Sequence, residues 1–156
     1  MGPIFLIKTL HVIGATVLLG TGAGIAFFMV MADRTRDARL IAHTAGVVVV
    51  ADVLFTASAI VLQPVTGIVL AAVEHQPLGQ PWILLSLALY LVAGVFWLPV
   101  VWIQLRVRDL ARAAAAAGEP LPAAYHRLYR VWFAFGFPAF AAVIAIIWLM
   151  VAKPPL

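Results

Sequence analysis

Cysteine is missing from the chain, which excludes disulfides, iron–sulfur clusters and cysteine-ligated zinc. Charge is nearly missing too. Charged residues make up 10% of the 156, where a soluble domain carries about 25%. No phosphate-binding loop, no HExxH metalloprotease motif and no G-x-S-x-G nucleophile elbow occurs. Nothing resembles a DNA- or RNA-binding module, so no nucleic-acid partner is expected. A clear internal repeat is lacking as well, which disfavours a transporter built from inverted repeats. What remains is a chain that is 65% apolar. A water-soluble fold of this size has too little interior to hide that much apolar surface, whereas a bilayer accepts it.

A helix needs about 20 mostly apolar residues to cross hydrocarbon. Four stretches qualify, over residues 3–32, 40–73, 82–103 and 131–152. The length suits one domain. The expected fold is all-α, an integral membrane four-helix bundle. The first stretch is too long for a signal peptide and is read as retained. Asp33 to Arg39 is a short charged turn. Glu74 to Pro81 contains Pro77, Gly79 and Pro81, which break helices. Leu105 to Ala117 is rich in Ala and Arg and continues helix three until Gly118 and Pro120 stop it, so helix three is expected to extend into the cytoplasm. All eight arginines lie near the first and third connections, and only Lys8 and Lys153 lie on the other side. That bias puts those connections in the cytoplasm and both termini outside. Setting topology and meeting anionic lipid heads is a sufficient role for the arginines.

Ionisable groups inside hydrocarbon are costly, so each one marks a functional hypothesis. Asp52 lies about 18 Å along the second helix at about 1.5 Å per residue, near the midplane by that count. It is the candidate proton carrier. Thr56, Gln63 and Thr66 fall within about 40° of its direction on the helical wheel, and Ala59 fills the gap. This stripe should face the bundle interior, because lipid offers it no partner. It would serve as a proton path, a water-lined cavity or a cofactor wall. Interhelical hydrogen bonding is the structural alternative and suffices for Thr56 and Thr66. Ser58 lies off the stripe and should bond the Leu54 carbonyl one turn back. Pro64 should kink the helix beside Gln63.

His11 lies about 12 Å below the outer surface and shares a face with Lys8, which can snorkel outward. Ala15, Leu18 and Gly22 line up with it, and the small residues leave room for a flat ligand. His43 and His126 share a depth near the arginine-bearing side and are weaker ligand candidates, with interfacial solvation as the alternative. Gln63, Thr56, Gly22 and Trp97 are candidate lining residues. Gly20 and Gly24 form a small-xxx-small pair on the face opposite His11, suited to a neighbouring helix or a second subunit. Trp82, Trp102, Tyr125, Tyr129, Trp132 and Trp148 read as an interfacial belt. Tyr90 and Trp97, and separately Phe133, Phe137 and Phe140, read as core or as packing for a porphyrin.

Ile7-Lys8-Thr9-Leu10-His11-Val12-Ile13 resembles the opening of the J-type protoporphyrinogen oxidases and the membrane domain of the copper-resistance D proteins. Nearly the whole chain resembles a bacterial family of predicted integral membrane proteins with no assigned function. The elements that carry this are Leu19-Gly20-Thr21-Gly22, Ala51-Asp52, Leu62-Gln63-Pro64, Trp97-Leu98-Pro99-Val100-Val101-Trp102, Tyr125-His126-Arg127 and Trp148-Leu149-Met150. With the bacterial family likeness, the arginine bias gives an expected place in the bacterial inner membrane with both termini periplasmic. The oxidase likeness implies a b-type haem held by His11, with a second ligand from another subunit or near Gln63. The leading expectation is therefore a haem b membrane protein in electron transfer or redox chemistry, with a quinone or redox partner. Alternatives are an ion- or copper-handling transport protein, for which sulfur ligands are scarce, and a non-catalytic subunit or assembly factor. A homo-oligomer is compatible with each.

Overall fold

A computed structural model describes residues 2–155. Among these residues there is no strand, and four helices are each long and apolar enough to cross a membrane. Helix α1 spans Pro3–Thr35, α2 spans Ala38–Val73, α3 spans Pro81–Ala117 and α4 spans Ala123–Ala152. Pro3 and Pro81 each open a helix where a missing backbone N–H loses nothing. Arg36 leaves α1 in the left-handed region, and the Asp37 carboxylate then caps α2 by accepting from the backbone N–H of Arg39 at 2.7 Å and of Leu40 at 3.3 Å. Gly118 stops α3 at φ 67°, a conformation glycine adopts without strain.

The helices are neighbours in chain order around a ring that closes where α4 meets α1. The first half of α2 packs on α3, while its second half leans on α1. The main core lies at the arginine-rich end. It joins Met29 and Ala32 of α1, Ile41, Ala45 and Val48 of α2, Val107 and Ala111 of α3, and Tyr125 and Trp132 of α4. At the opposite end only a small cluster forms, Trp82 and Ile83 of α3 against Leu149 of α4.

Helix α3 continues to Ala117, as its Ala- and Arg-rich tail predicts. That tail is clasped on the bundle side: Val107 is 1% exposed and Ala111 0%. The cause is that α4 begins at Ala123, about two turns before its apolar run, and α2 begins at Ala38. All four helices therefore reach this end. Water borders them there, so apolar side chains turn inward. The aromatic belt is corrected by the same fact. Tyr125 and Trp132 are core residues and Trp82 is buried, whereas Trp102 and Trp148 stay exposed as a belt requires. Phe133, Phe137 and Phe140 look outward and are not core. Among the described residues no other helix comes within 4 Å of a Cβ built on Gly20 or Gly24, so a neighbouring helix is not the partner of that face.

Helix α2 carries two irregularities. Asp52–Thr56 forms one widened π turn, in which the Ala57 N–H reaches back to the Asp52 carbonyl. Ser58 donates to the Leu54 carbonyl at 2.6 Å, as its position predicts, and lies 3.0 Å from the Phe55 carbonyl. Pro64 has no N–H for the Ile60 carbonyl one turn back. Tyr90 of α3 supplies the missing donor, its hydroxyl 2.5 Å from that carbonyl. In lipid such a freed carbonyl has no other source of a partner.

Candidate functional site

Three helices converge on Asp52, which is 4% exposed and begins the π turn of α2. Trp97 of α3 donates its indole N–H to one carboxyl oxygen at 3.4 Å, a long bond. Gln104, also on α3 and 3% exposed, takes the other side. Its amide orientation is set by its neighbours. The NH2 group donates to Asp52 Oδ2 at 2.8 Å, and the amide oxygen accepts from the Trp132 indole N–H of α4 at 3.2 Å. The donors are all neutral: among the described residues no cation pairs with Asp52. Thr56, one turn on, points at the same carboxyl. Its hydroxyl is buried and closes no hydrogen bond. A buried hydroxyl without a partner is uncommon.

Gln104 precedes the exposed Arg106 by two residues and Trp132 follows the exposed Arg130 by two, about 3 Å in each case. Asp52 is closed off from the arginine-rich end, because Val48, Val107, Ala111 and Tyr125 fill the bundle there.

A second polar contact joins α1 to the far half of α2. The Thr66 hydroxyl donates to the Leu62 carbonyl at 2.7 Å, so its oxygen accepts from His11 Nδ1–H, also at 2.7 Å. With the Thr66 proton on the Leu62 carbonyl, Nδ1 carries the His11 proton and Nε2 is the basic nitrogen, an assignment set by the hydrogen-bond pattern. Nε2 has no partner among the described residues and is not sealed from the surface. Gln63 reaches back to donate to the His11 carbonyl at 2.8 Å. Two glycines permit the close approach. A Cβ on Gly14 would collide with the Gln63 amide, and one on Gly67 would stand 3.3 Å from His11 Cε1. Thr66 thus has the interhelical role expected of it, while Thr56 does not. Nearer the helix ends, Lys8 Nζ lies 2.6 Å from the Glu74 carboxylate. The Lys8 hydrogen bond holds that carboxyl below the usual glutamate range.

The remaining candidates are not brought together. Gly22 faces Phe140 of α4, 3.9 Å from where its Cβ would be, so a ring of the chain lies beside that small residue. His43 is exposed on a groove between α2 and α3, and His126 meets Tyr125 edge-on at 5.2 Å. No group of three or more His, Asp or Glu able to hold a metal exists among the described residues. For a haem, His11 has the right donor set, a free Nε2 with Nδ1–H anchored behind it. Among the described residues His11 lines no cavity: the shallow depression of about 220 Å³ on α1 is lined by Phe5, Lys8, Thr9, Val12 and Ile13, on another face of the helix. That is below the roughly 300–1,000 Å³ of small-molecule sites. One chain offers an axial ligand but no enclosing slot.

Gln104 and the inward role of Trp132 escape a reading of the sequence. Gln104 closes an apolar run beside Arg106 and so resembles an interfacial residue. A signal does exist: Trp97, Val100, Gln104, Val107 and Ala111 recur at three- and four-residue spacing and share one helical face.

The family described as predicted integral membrane protein (DUF2269) matches residues 5–154, and the chain belongs to it. No curated protein and no solved structure matches the chain. The likeness of the Lys8–His11 element to the oxidases and to copper-resistance D is found by none of these comparisons.

Proposed function

We propose that this integral membrane protein handles protons, with Asp52 as the exchanging group. The observation that carries the reading is a carboxyl buried among neutral donors beside an unbonded hydroxyl. A charged carboxylate there is costly, and no cation offsets it. Trp97 and Gln104 donate to the carboxyl, and the Thr56 hydroxyl, unbonded beside it, is the group positioned to take its proton. The polar stripe gives the proton a direction. From Asp52 it runs by Thr56 and Gln63 to Thr66 and His11, toward the end bearing Lys8 and Lys153. The apolar core blocks the other way. His11 relays by accepting a proton at Nε2 and releasing one from Nδ1 to the Thr66 hydroxyl, which gives up its own proton toward the Asp52 side of the stripe as it turns from the Leu62 carbonyl.

The test is infrared spectroscopy of the purified protein after a rapid pH change. A protonated-carboxyl band should vanish in Asp52→Asn. His11→Phe should slow its response on the order of a hundredfold, the low end of what a positioned proton-transfer group contributes. An Asp52 band that never responds to pH, or responds equally fast without His11, would refute the reading.

A second reading has its own observation. The free Nε2 of His11 suits it as an axial ligand of a b-type haem. Such a haem would supply one-electron transfer to a quinone or other redox partner. Because one chain gives one ligand and no slot, the second ligand would come from another subunit. Purified protein should show a Soret band that His11→Ala removes and Asp52→Asn keeps. Colourless folded protein from haem-replete cells would end this reading and leave the first intact. Copper handling has less support, because Met29 is sealed in the core at the arginine-rich end.

A further inference from the structure

We propose that the groove between α2 and α3 at the arginine-rich end is a site for one phospholipid whose headgroup carries net negative charge. The groove holds about 590 Å³ and is polar at one end only. His43 and Arg112 form its head, and Val47, Val50 and Phe55 form its apolar trough. Gly46 lies between, and the Arg112 guanidinium lies across it, 3.3 Å from where a Cβ would be.

Charge is what identifies the occupant. Arg108, one turn before Arg112, is paired with Asp109 at 2.8 Å. Arg112 has no ion pair among the described residues, although it borders apolar surface. A zwitterionic lipid brings its own cation to this spot, whereas an anionic one leaves a net charge for the guanidinium to neutralise. Length agrees as well. From His43 to Phe55 is about 18 Å along the helix, comparable to one leaflet of an about 30 Å hydrocarbon layer. The direction is that of a lipid in the leaflet, head toward the arginine-rich end and tail toward the membrane interior. A free phosphate would engage His43 and Arg112 but leave the trough unfilled.

The experiment is native mass spectrometry of the protein released from nanodiscs containing equal phosphatidylcholine and phosphatidylglycerol. Wild-type protein should retain one phosphatidylglycerol per chain in preference to phosphatidylcholine. Arg112→Gln should lower that retention about fivefold, the weight of one basic side chain at an anionic surface. Gly46→Leu, which fills the trough and displaces the guanidinium, should lower it at least as much. Arg127→Gln, on the exposed face of α4, should leave it unchanged, and excess inorganic phosphate should not strip the lipid. Equal retention of the two lipids, equal loss in Arg112→Gln and Arg127→Gln, or displacement by phosphate would each overturn the proposal.

Discussion

The two ends of this bundle are held together by different forces. At the arginine-rich end four helices share one dry core, with Val107, Ala111 and Tyr125 almost wholly enclosed. At the other end contacts come in pairs. The α1–α2 contact is polar, built from His11, Gln63 and Thr66, while α3 and α4 meet over Trp82, Ile83 and Leu149. Water explains the difference. Where helices emerge into it, burying apolar side chains is favourable. Inside lipid that drive is gone, and close packing over small residues with a few hydrogen bonds takes its place. Asp52 sits at the seam, on the polar side of the dry core.

The largest effect should come from the core. Tyr125→Ala deletes a buried ring and the hydroxyl that lies 3.0 Å from Asp33, and should cost about 3–5 kcal/mol, read as a lower midpoint of thermal unfolding in detergent. At the seam, Gln104→Leu leaves one Asp52 oxygen and the Trp132 indole unpaired and should cost about 1–3 kcal/mol. Asp52→Asn should restore part of that loss when added to Gln104→Leu, because a neutral side chain suffers less from a missing donor. In the lipid-facing half, Gln63→Ala should cost only about 0.6 kcal/mol, the average for hydrogen bonds between membrane helices. If it costs as much as Tyr125→Ala, the contrast between the ends is wrong.

Much of this contrast was legible in the sequence, and the reasons differ by residue. The four helices follow from run lengths. The Leu105–Ala117 extension, the Gly118 stop and the Ser58–Leu54 bond follow from local chemistry that no distant residue overrides. The inward stripe of α2 was also legible, because lipid leaves Asp52 one direction to face. What was not legible depends on register between helices. Gln104 meets Asp52 only because of how α2 and α3 are offset along their lengths. Tyr125 and Trp132 look like belt residues until α4 is seen to begin at Ala123. Tyr90 reads as core, yet its hydroxyl answers the carbonyl that Pro64 frees on another helix.

The smallest predicted effect lies at the exposed Lys8–Glu74 pair. Lys8 holds the Glu74 carboxyl below its ordinary range, so the pair stabilises the fold above that range and is lost as pH falls through the lowered value. The contribution should be below about 0.5 kcal/mol and should fade with salt. Glu74→Gln should remove that pH dependence from the unfolding midpoint without touching the arginine-rich end.

A chain without cysteine allows the central claim, a polar path open from the lysine-bearing end and shut from the other, to be probed directly. Single Gln63→Cys and Val48→Cys variants would be placed in vesicles and exposed to a small, charged, membrane-impermeant thiol reagent from each side in turn. Gln63→Cys should react only from the side bearing Lys8 and Lys153, and Val48→Cys, at a position 3% exposed, from neither. Reaction of Gln63→Cys from the arginine side, or of Val48→Cys from either, would contradict the claim.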